Sequence, residues 1–168
     1  YNISGACFAG LGQLDNALQS YEKALTIKPD YAEVHYNLGV TLQELDQLDA
    51  AVKSYEKAIT IKPDYADAYI NLGITLKNLG QLDAAVKSYE KAIAINPDYA
   101  EAHNNLGNAL DDLGQLDAAV KSYENALAIK PDFAEAHNNL GNTLMNLDQL
   151  NEAVKCFKQA LAIKPDYA

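Results

Sequence analysis

Residues 29–62 read PDYAEVHYNLGVTLQELDQLDAAVKSYEKAITIK, and variants of this stretch return at 63–96, 97–130 and 131–164. The five prolines, Pro29, Pro63, Pro97, Pro131 and Pro165, stand 34 residues apart, and Gly5, Gly39, Gly73, Gly107 and Gly141 keep the same step. Self-similarity at one fixed period marks a repeat array, so chain length does not count separate domains. A single array is expected over 1–168: a partial first repeat at 1–31, then full repeats at 32–65, 66–99, 100–133 and 134–167. The chain opens inside a period and ends inside another, which reads as part of a longer protein.

Within one period apolar residues recur at helical spacing twice, first as Val34, Leu38, Thr41, Leu42 and Leu45, then as Ala51, Val52, Tyr55, Ala58 and Ile59. Asp46-Gln47-Leu48 reads as the turn between two antiparallel helices, so the class is all-α. Asp30, Asp64, Asp98 and Asp132 each precede an acid by three residues and are expected to cap the first helix, at about 1 kcal/mol each. Asp49, Asp83 and Asp117 are expected to open and cap the second helix while facing Lys53, Lys87 and Lys121. A glycine inside a helix costs roughly 1 kcal/mol against Ala. Its return in every first helix predicts a close approach of two helices there.

Of 168 residues 49% are hydrophobic and 21% charged, with a net charge of −10, and every one of the 13 basic residues is lysine. Such an acidic surface repels phosphate backbones and anionic headgroups, so nucleic acid and membrane are not expected partners. No apolar run approaches the roughly 20 residues that cross a bilayer. Cys7 and Cys156 make no disulfide framework, and a reduced, cytoplasmic setting is expected.

The 34-residue period, the Leu38-Gly39 pair, the second-helix Ala51, Tyr55 and Ala58 and the closing Pro63 resemble the tetratricopeptide repeat family throughout the chain. His35, Tyr69, His103 and His137 stand where that family often has Trp, and Phe8, Leu42, Leu76, Leu110 and Leu144 where it often has Tyr. The Asn-Asn-Leu-Gly-Asn runs at 104–108 and 138–142 are similar to the array of O-GlcNAc transferase and to bacterial multi-repeat proteins. The resemblance implies a right-handed superhelical solenoid of helix pairs, with first helices lining a concave groove for extended peptides. A hairpin with more apolar surface than it buries alone must stack on its neighbours, which agrees with that architecture.

If the first helix packs through Val34, Leu38 and Leu42, its opposite stripe faces the groove. The expected peptide-binding residues are then Tyr36, Asn37, Ile70, Asn71, Ile74, Lys77, Asn104, Asn105, Asn108, Asn138, Asn139 and Asn142. A ladder of primary amides, Asn37, Asn71, Asn105 and Asn139, can pair with a peptide's N–H and C=O without reading its side chains. Equally, these amides can bond to neighbouring helices and hold repeat spacing. Of the lysines only Lys77 falls on the stripe, so a cluster of cations able to grip a C-terminal carboxylate is missing, and a neutral or basic segment is the expected ligand.

The histidines recur at repeat spacing without a second His or Cys beside them, and they read as packing and hydrogen-bonding groups; no metal or cofactor is expected. No nucleophile, base and orienting group can be assembled, so the chain is not expected to be an enzyme. The expected function is a protein–protein interaction scaffold. The alternative is a self-assembly module that associates end to end as a homo-oligomer through a C-terminal flank including Val154, Phe157 and Leu161.

Overall fold

The computed structural model describes residues 1–166, and among these residues there are ten α-helices and no strand. The ends of the expected last repeat at Tyr167 and of the array at Ala168 lie outside the described residues. The chain divides into two compact units, Tyr1–Gln81 and Leu82–Ala168. The first holds α1 (Asn2–Gly10), α2 (Leu14–Ile27), α3 (Ala32–Glu44), α4 (Leu48–Ile61) and α5 (Ala66–Asn78). The second holds α6 (Leu82–Ile95), α7 (Ala100–Asp112), α8 (Leu116–Ile129), α9 (Ala134–Asn146) and α10 (Leu150–Ile163).

In the first unit α1 packs on α2 and α3 on α4, and successive hairpins join through α2 against α3 and α4 against α5. Ala17, Tyr21, Ala24 and Val34 form its buried cluster, with Phe8, Leu25 and Leu38 against them. In the second unit α7 packs on α8 and α9 on α10, with α6 against α7 and α8 against α9. Leu110, Ala119, Tyr123, Leu140, Leu144 and Ala153 are its buried cluster. The residues of helical period named from sequence are the ones that supply these cores.

The repeated glycine is the contact point inside the α1–α2, α3–α4, α7–α8 and α9–α10 hairpins. A Cβ on Gly39 would lie 2.6 Å from Tyr55 Cε1, and one on Gly107 2.5 Å from Tyr123 Cε1. Gly5 meets Tyr21 and Gly141 meets Phe157 in the same way. The tyrosine ring therefore lies directly on the first helix, and only hydrogen fits beneath it.

The turns depart from the simple reading of Asp46-Gln47-Leu48. Leu48 already belongs to α4, and α3 ends in a reversal at Asp46, whose φ is 58°. The Gln47 N–H reaches the Leu42 carbonyl at 2.8 Å and the Asp46 N–H reaches that of Gln43 at 3.0 Å, which satisfies two orphan carbonyls of the helix end. Gly80 and Gly114 take this left-handed place elsewhere, with φ of 73° and 72°.

The expected aspartate caps do not form. The residues before α3, α5 and α7 are Tyr31, Tyr65 and Tyr99, and that before α9 is Phe133, none with a side-chain cap bond. Pro63 and Asp64 are used instead in a turn, closed by the Tyr65 N–H on the Lys62 carbonyl at 3.2 Å. This leaves Asp64 outside the helix, too early to reach its free N–H groups. Asp49 and Asp117 lie inside the first turns of α4 and α8, whose caps are Gln47 and Gln115. There they act on the helix dipole rather than as caps.

Candidate functional site

The first-helix stripe is built by hydrogen bonds between one first helix and the next. In the first unit Asn37 Nδ2 donates to Asn2 Oδ1 at 3.2 Å, and Asn71 Nδ2 to the Tyr36 hydroxyl at 2.9 Å. In the second unit Asn139 Nδ2 donates to Asn104 Oδ1 at 3.2 Å and to Asn108 Oδ1 at 2.9 Å. One rule covers all three: the residue at the place of Tyr36 receives the amide at the place of Asn37 one repeat later. Asn37, Asn71 and Asn139 thus hold neighbouring helices, and each still has a carbonyl oxygen that these bonds leave available.

A second pairing lies about two turns further along the helices. Thr75 Oγ1 donates to Gln43 Oε1 at 2.8 Å, and Thr143 Oγ1 to Asp111 Oδ1 at 2.6 Å. The core tyrosines reach through to the same row, with the Tyr55 hydroxyl on Gln43 Oε1 at 3.1 Å and that of Tyr123 on Asn108 Oδ1 at 2.8 Å. From sequence, Thr41 and its counterparts fall only on the packing side. The signal available was the coincidence of Thr75 with Gln43 and of Thr143 with Asp111, at one fixed spacing of 32 residues.

Two expected groove residues are covered rather than open. Asn104 is 1% exposed and Ile70 6% exposed. Within each unit the place of Tyr36 and Asn104 faces the following first helix, and Asn104 is enclosed by Asn139 and by Glu135, whose Oε1 accepts its Nδ2 at 3.2 Å. Ile74, Lys77, Asn105, Asn108 and Asn138 are half-buried and Asn142 is exposed. Among the described residues, Asn138 and Asn142 and, within its own unit, Asn105 make no side-chain hydrogen bond; Asn138 and Asn142 stand at the places of Asn104 and Asn108, which accept from Asn139 one repeat later, and Asn105 stands at the place of Asn139.

The two faces differ in electrostatics. In the first unit Tyr36 lies between two rings, 5.0 Å from Tyr65 and 6.0 Å from Tyr55. Burial pushes all three phenols up; Tyr65, further raised by Tyr36 and by the Asp67 and Glu33 carboxylates, reaches about 12. In the second unit exposed Glu101, Asp112 and Glu135 and half-buried Asp111 crowd the face. Burial raises the Tyr123 phenol, and Asp111 adds to it. Lys130 at the end of α8 lies over the Phe133 ring at 4.7 Å and pairs with Glu101 at 3.2 Å.

The repeated histidines are structural donors. His35, His103 and His137 reach the carbonyls of Pro29, Pro97 and Pro131 through Nε2 at 2.8, 3.0 and 3.0 Å. A carbonyl only accepts, so Nε2 carries the proton. Among the described residues no group of three or more His, Cys, Asp or Glu could hold a metal ion, and no helix is long and apolar enough to cross a membrane.

Residues 8–46, 44–80, 75–113 and 108–148 match the family model described as TPR repeat, and 134–167 match that of the tetratricopeptide repeat. The chain belongs to the tetratricopeptide repeat family. Among solved TPR structures it is similar to MamA, with 32% identity and a TM-score of 0.90 over 96% of this chain and 94% of that one. YrrB, described as a TPR protein with an unusual peptide-binding site, shares 26% identity at a TM-score of 0.82, over 97% of this chain and 84% of that one. A MamA fragment from Desulfovibrio magneticus RS-1 shares the fold at 24% identity and a TM-score of 0.89, covering 99% and 93%. No curated protein sequence matches. The TPR array is accordingly a protein–protein interaction scaffold that takes a protein or peptide partner and is not an enzyme.

Proposed function

We propose that the first-helix faces hold an extended, neutral or basic peptide segment, with the second unit supplying backbone contacts. The observation that carries this reading is the amide and carboxylate face of the second unit, where half-buried Asn105 and exposed Asn142 make no side-chain hydrogen bond within that unit. A primary amide presents donors and an acceptor in the pattern a peptide group needs. Glu101, Asp111 and Glu135 each use a carboxylate oxygen on a neighbour, and a carboxylate has further lone pairs for an incoming Lys or Arg. Half-buried Tyr36, Val40 and Ile74 offer apolar surface in the first unit, where a hydrophobic side chain can rest. A relative described as having a peptide-binding site, YrrB, supports the assignment of a peptide ligand. The acidity disfavours nucleic acid, and free Cys7 and Cys156 suit a reduced, cytoplasm-like compartment.

The test is fluorescence anisotropy with a pool of extended peptides against Asn105→Ala with Asn142→Ala. Binding should weaken about tenfold, as expected for losing two modest hydrogen bonds, with helicity unchanged. Equal binding by the double variant removes the amide row from the mechanism. Asn139→Ala is less informative, because it also breaks the bonds to Asn104 and Asn108.

A second reading, self-association, has its own observation. On α10, Val154 and Leu161 are 49% and 48% exposed, whereas their counterparts Val120 and Leu127 pack against the cluster formed with α9. Phe157 is half-buried and lies over Gly141. Sedimentation across a concentration series tests it: Val154→Lys with Leu161→Lys should abolish mass growth, and growth that persists in this variant rejects the flank as an interface.

A further inference from the structure

The carboxylates on the face of the second unit are not alike. Glu101 is exposed and pairs with Lys130 at 3.2 Å, and Glu135 is exposed and accepts from the Asn104 amide at 3.2 Å. Asp111 is half-buried, and among the described residues no cation pairs with it. Its Oδ1 accepts from the Thr143 hydroxyl at 2.6 Å. Thr143 is 1% exposed, so the packing of α9 fixes that hydroxyl. The carboxylate is thereby held by one oxygen, while Oδ2 is left without a partner among the described residues.

The fold does not ask for this charge. In the first unit the same place is Gln43, whose Oε1 accepts from Thr75 at 2.8 Å and from Tyr55 at 3.1 Å. A neutral amide thus answers the same threonine. One period before and one after Asp111 the place holds Lys77 and Met145, so its residue type is not set by the helix. A charge taken partly out of water costs free energy unless a partner offsets it. At Asp111 the hydroxyl of Thr143 offsets part of that cost, and a cation from another chain would offset the rest.

The atoms beside Asp111 have fixed roles as well. Asn139 uses both Nδ2 protons, on Asn104 at 3.2 Å and on Asn108 at 2.9 Å, and retains its Oδ1 as an acceptor. Asn108 lies one turn before Asp111 on the same face of α7. A guanidinium is a planar group of donors with no acceptor, and it is less strongly hydrated than an ammonium, so it loses less on entering a half-buried place.

We infer that Asp111 is the specificity-determining residue of the second unit and takes the guanidinium of an arginine in the bound segment, with Thr143 as its positioning residue. This rests on the peptide reading above and narrows it, from a neutral or basic segment to one with arginine at this place.

The experiment uses acetyl-Ser-Gly-Arg-Gly-Ser-amide with its citrulline and lysine counterparts, and reads the backbone amide resonances of α7 and α9. Citrulline keeps the shape of arginine and lacks its charge. Saturable shifts centred on Asp111 and Thr143 are expected, with the citrulline peptide about tenfold weaker and the lysine peptide about threefold weaker. Asp111→Asn keeps an acceptor for Thr143, as Gln43 does for Thr75, so the fold is retained. It should bring the arginine peptide down to the citrulline level and leave the citrulline peptide as it was. Thr143→Val should lower the arginine-to-citrulline ratio about threefold, and Thr143→Ser should keep it. Equal binding of the arginine and citrulline peptides, equal binding of the lysine peptide, or an unaltered ratio in folded Asp111→Asn overturns the inference and leaves the peptide reading standing. An unaltered ratio in Thr143→Val removes the positioning role. Absence of shifts with all three peptides up to their solubility limits overturns both.

Discussion

The two units use one framework and fill it with different chemistry. In the first, the inter-helix pairings are neutral: Asn71 on the Tyr36 hydroxyl and Thr75 on the Gln43 amide, beside three packed phenols. In the second, the same places carry Asn104 and Asp111, so an amide network replaces the Tyr36 ring and a carboxylate acceptor replaces the Gln43 amide. The comparison teaches that the repeat specifies where a first helix must find a partner, and leaves the kind of partner open. An apolar aromatic face and an acidic amide face can therefore stand on one backbone plan.

The largest expected effect tests whether the plan is equally rigid in both units. Gly107→Ala and Gly39→Ala place a methyl on rings that have no room to retreat. Overpacking of this kind costs about 1–3 kcal/mol, and the helix propensity of Ala returns about 1 of that. A net loss of up to about 2 kcal/mol in urea denaturation is expected for each; tolerance of one and not the other would show unequal packing under the same geometry.

Next comes the pairing itself. Thr143→Val removes the donor to a half-buried charged acceptor, Asp111, and Thr75→Val the donor to a neutral one, Gln43, which keeps its bond from Tyr55. Hydrogen bonds to charged groups contribute about 1.5–3 kcal/mol and neutral ones about 0.5–1.5. Denaturation midpoints should fall about twice as far for Thr143→Val, and equal falls would mean that the charge at Asp111 is fully screened.

Alkaline titration separates the units further. A phenol raised in the fold ionises first in the unfolded chain, so its contribution is intact below about 10 and is lost as pH climbs to the folded value. For Tyr65 that window runs from 10.0 to about 12. In the first unit Tyr36 adds to the raising of both Tyr55 and Tyr65, so Tyr36→Phe should flatten the alkaline loss of stability, followed by circular dichroism with phenolate absorbance. In the second unit Tyr123 answers to burial first and to Asp111 next. An alkaline limb untouched by Tyr36→Phe would break the contrast.

The smallest effect lies at the surface. Lys62 has its contact over Tyr65, whereas Lys130 has one over Phe133 and an ion pair with Glu101. Lys62→Ala should cost about 0.5 kcal/mol, and Lys130→Ala about 0.3 kcal/mol more. High salt should erase that difference, since the exposed pair is screened.

The helices, their core faces and the glycine contact were legible because each is a local or periodic property. Val34 and Tyr55 mark their faces through spacing alone, and Gly39 declares a close neighbour by being tolerated mid-helix. The helix starts were less legible: Asp64 has the right chemistry for a cap, but the Pro63 turn leaves it short of the helix. At the candidate site the sequence places the amides on one stripe of each first helix, yet Asn104 is enclosed and Thr143 takes part. Both facts depend on where the next first helix lies, which no single helix encodes.

By itself, the sequence determined the all-α repeat, its 34-residue step, the hairpin core and the acidic balance, since periodicity and charge survive any arrangement of the helices in space. Only the tertiary structure decided which amides are spent holding helices together, that Asn104 is enclosed, and that Thr143 reaches Asp111 across the helices. A hydrogen bond or a cavity is a relation between surfaces far apart in the chain, and it exists only once they have been brought together.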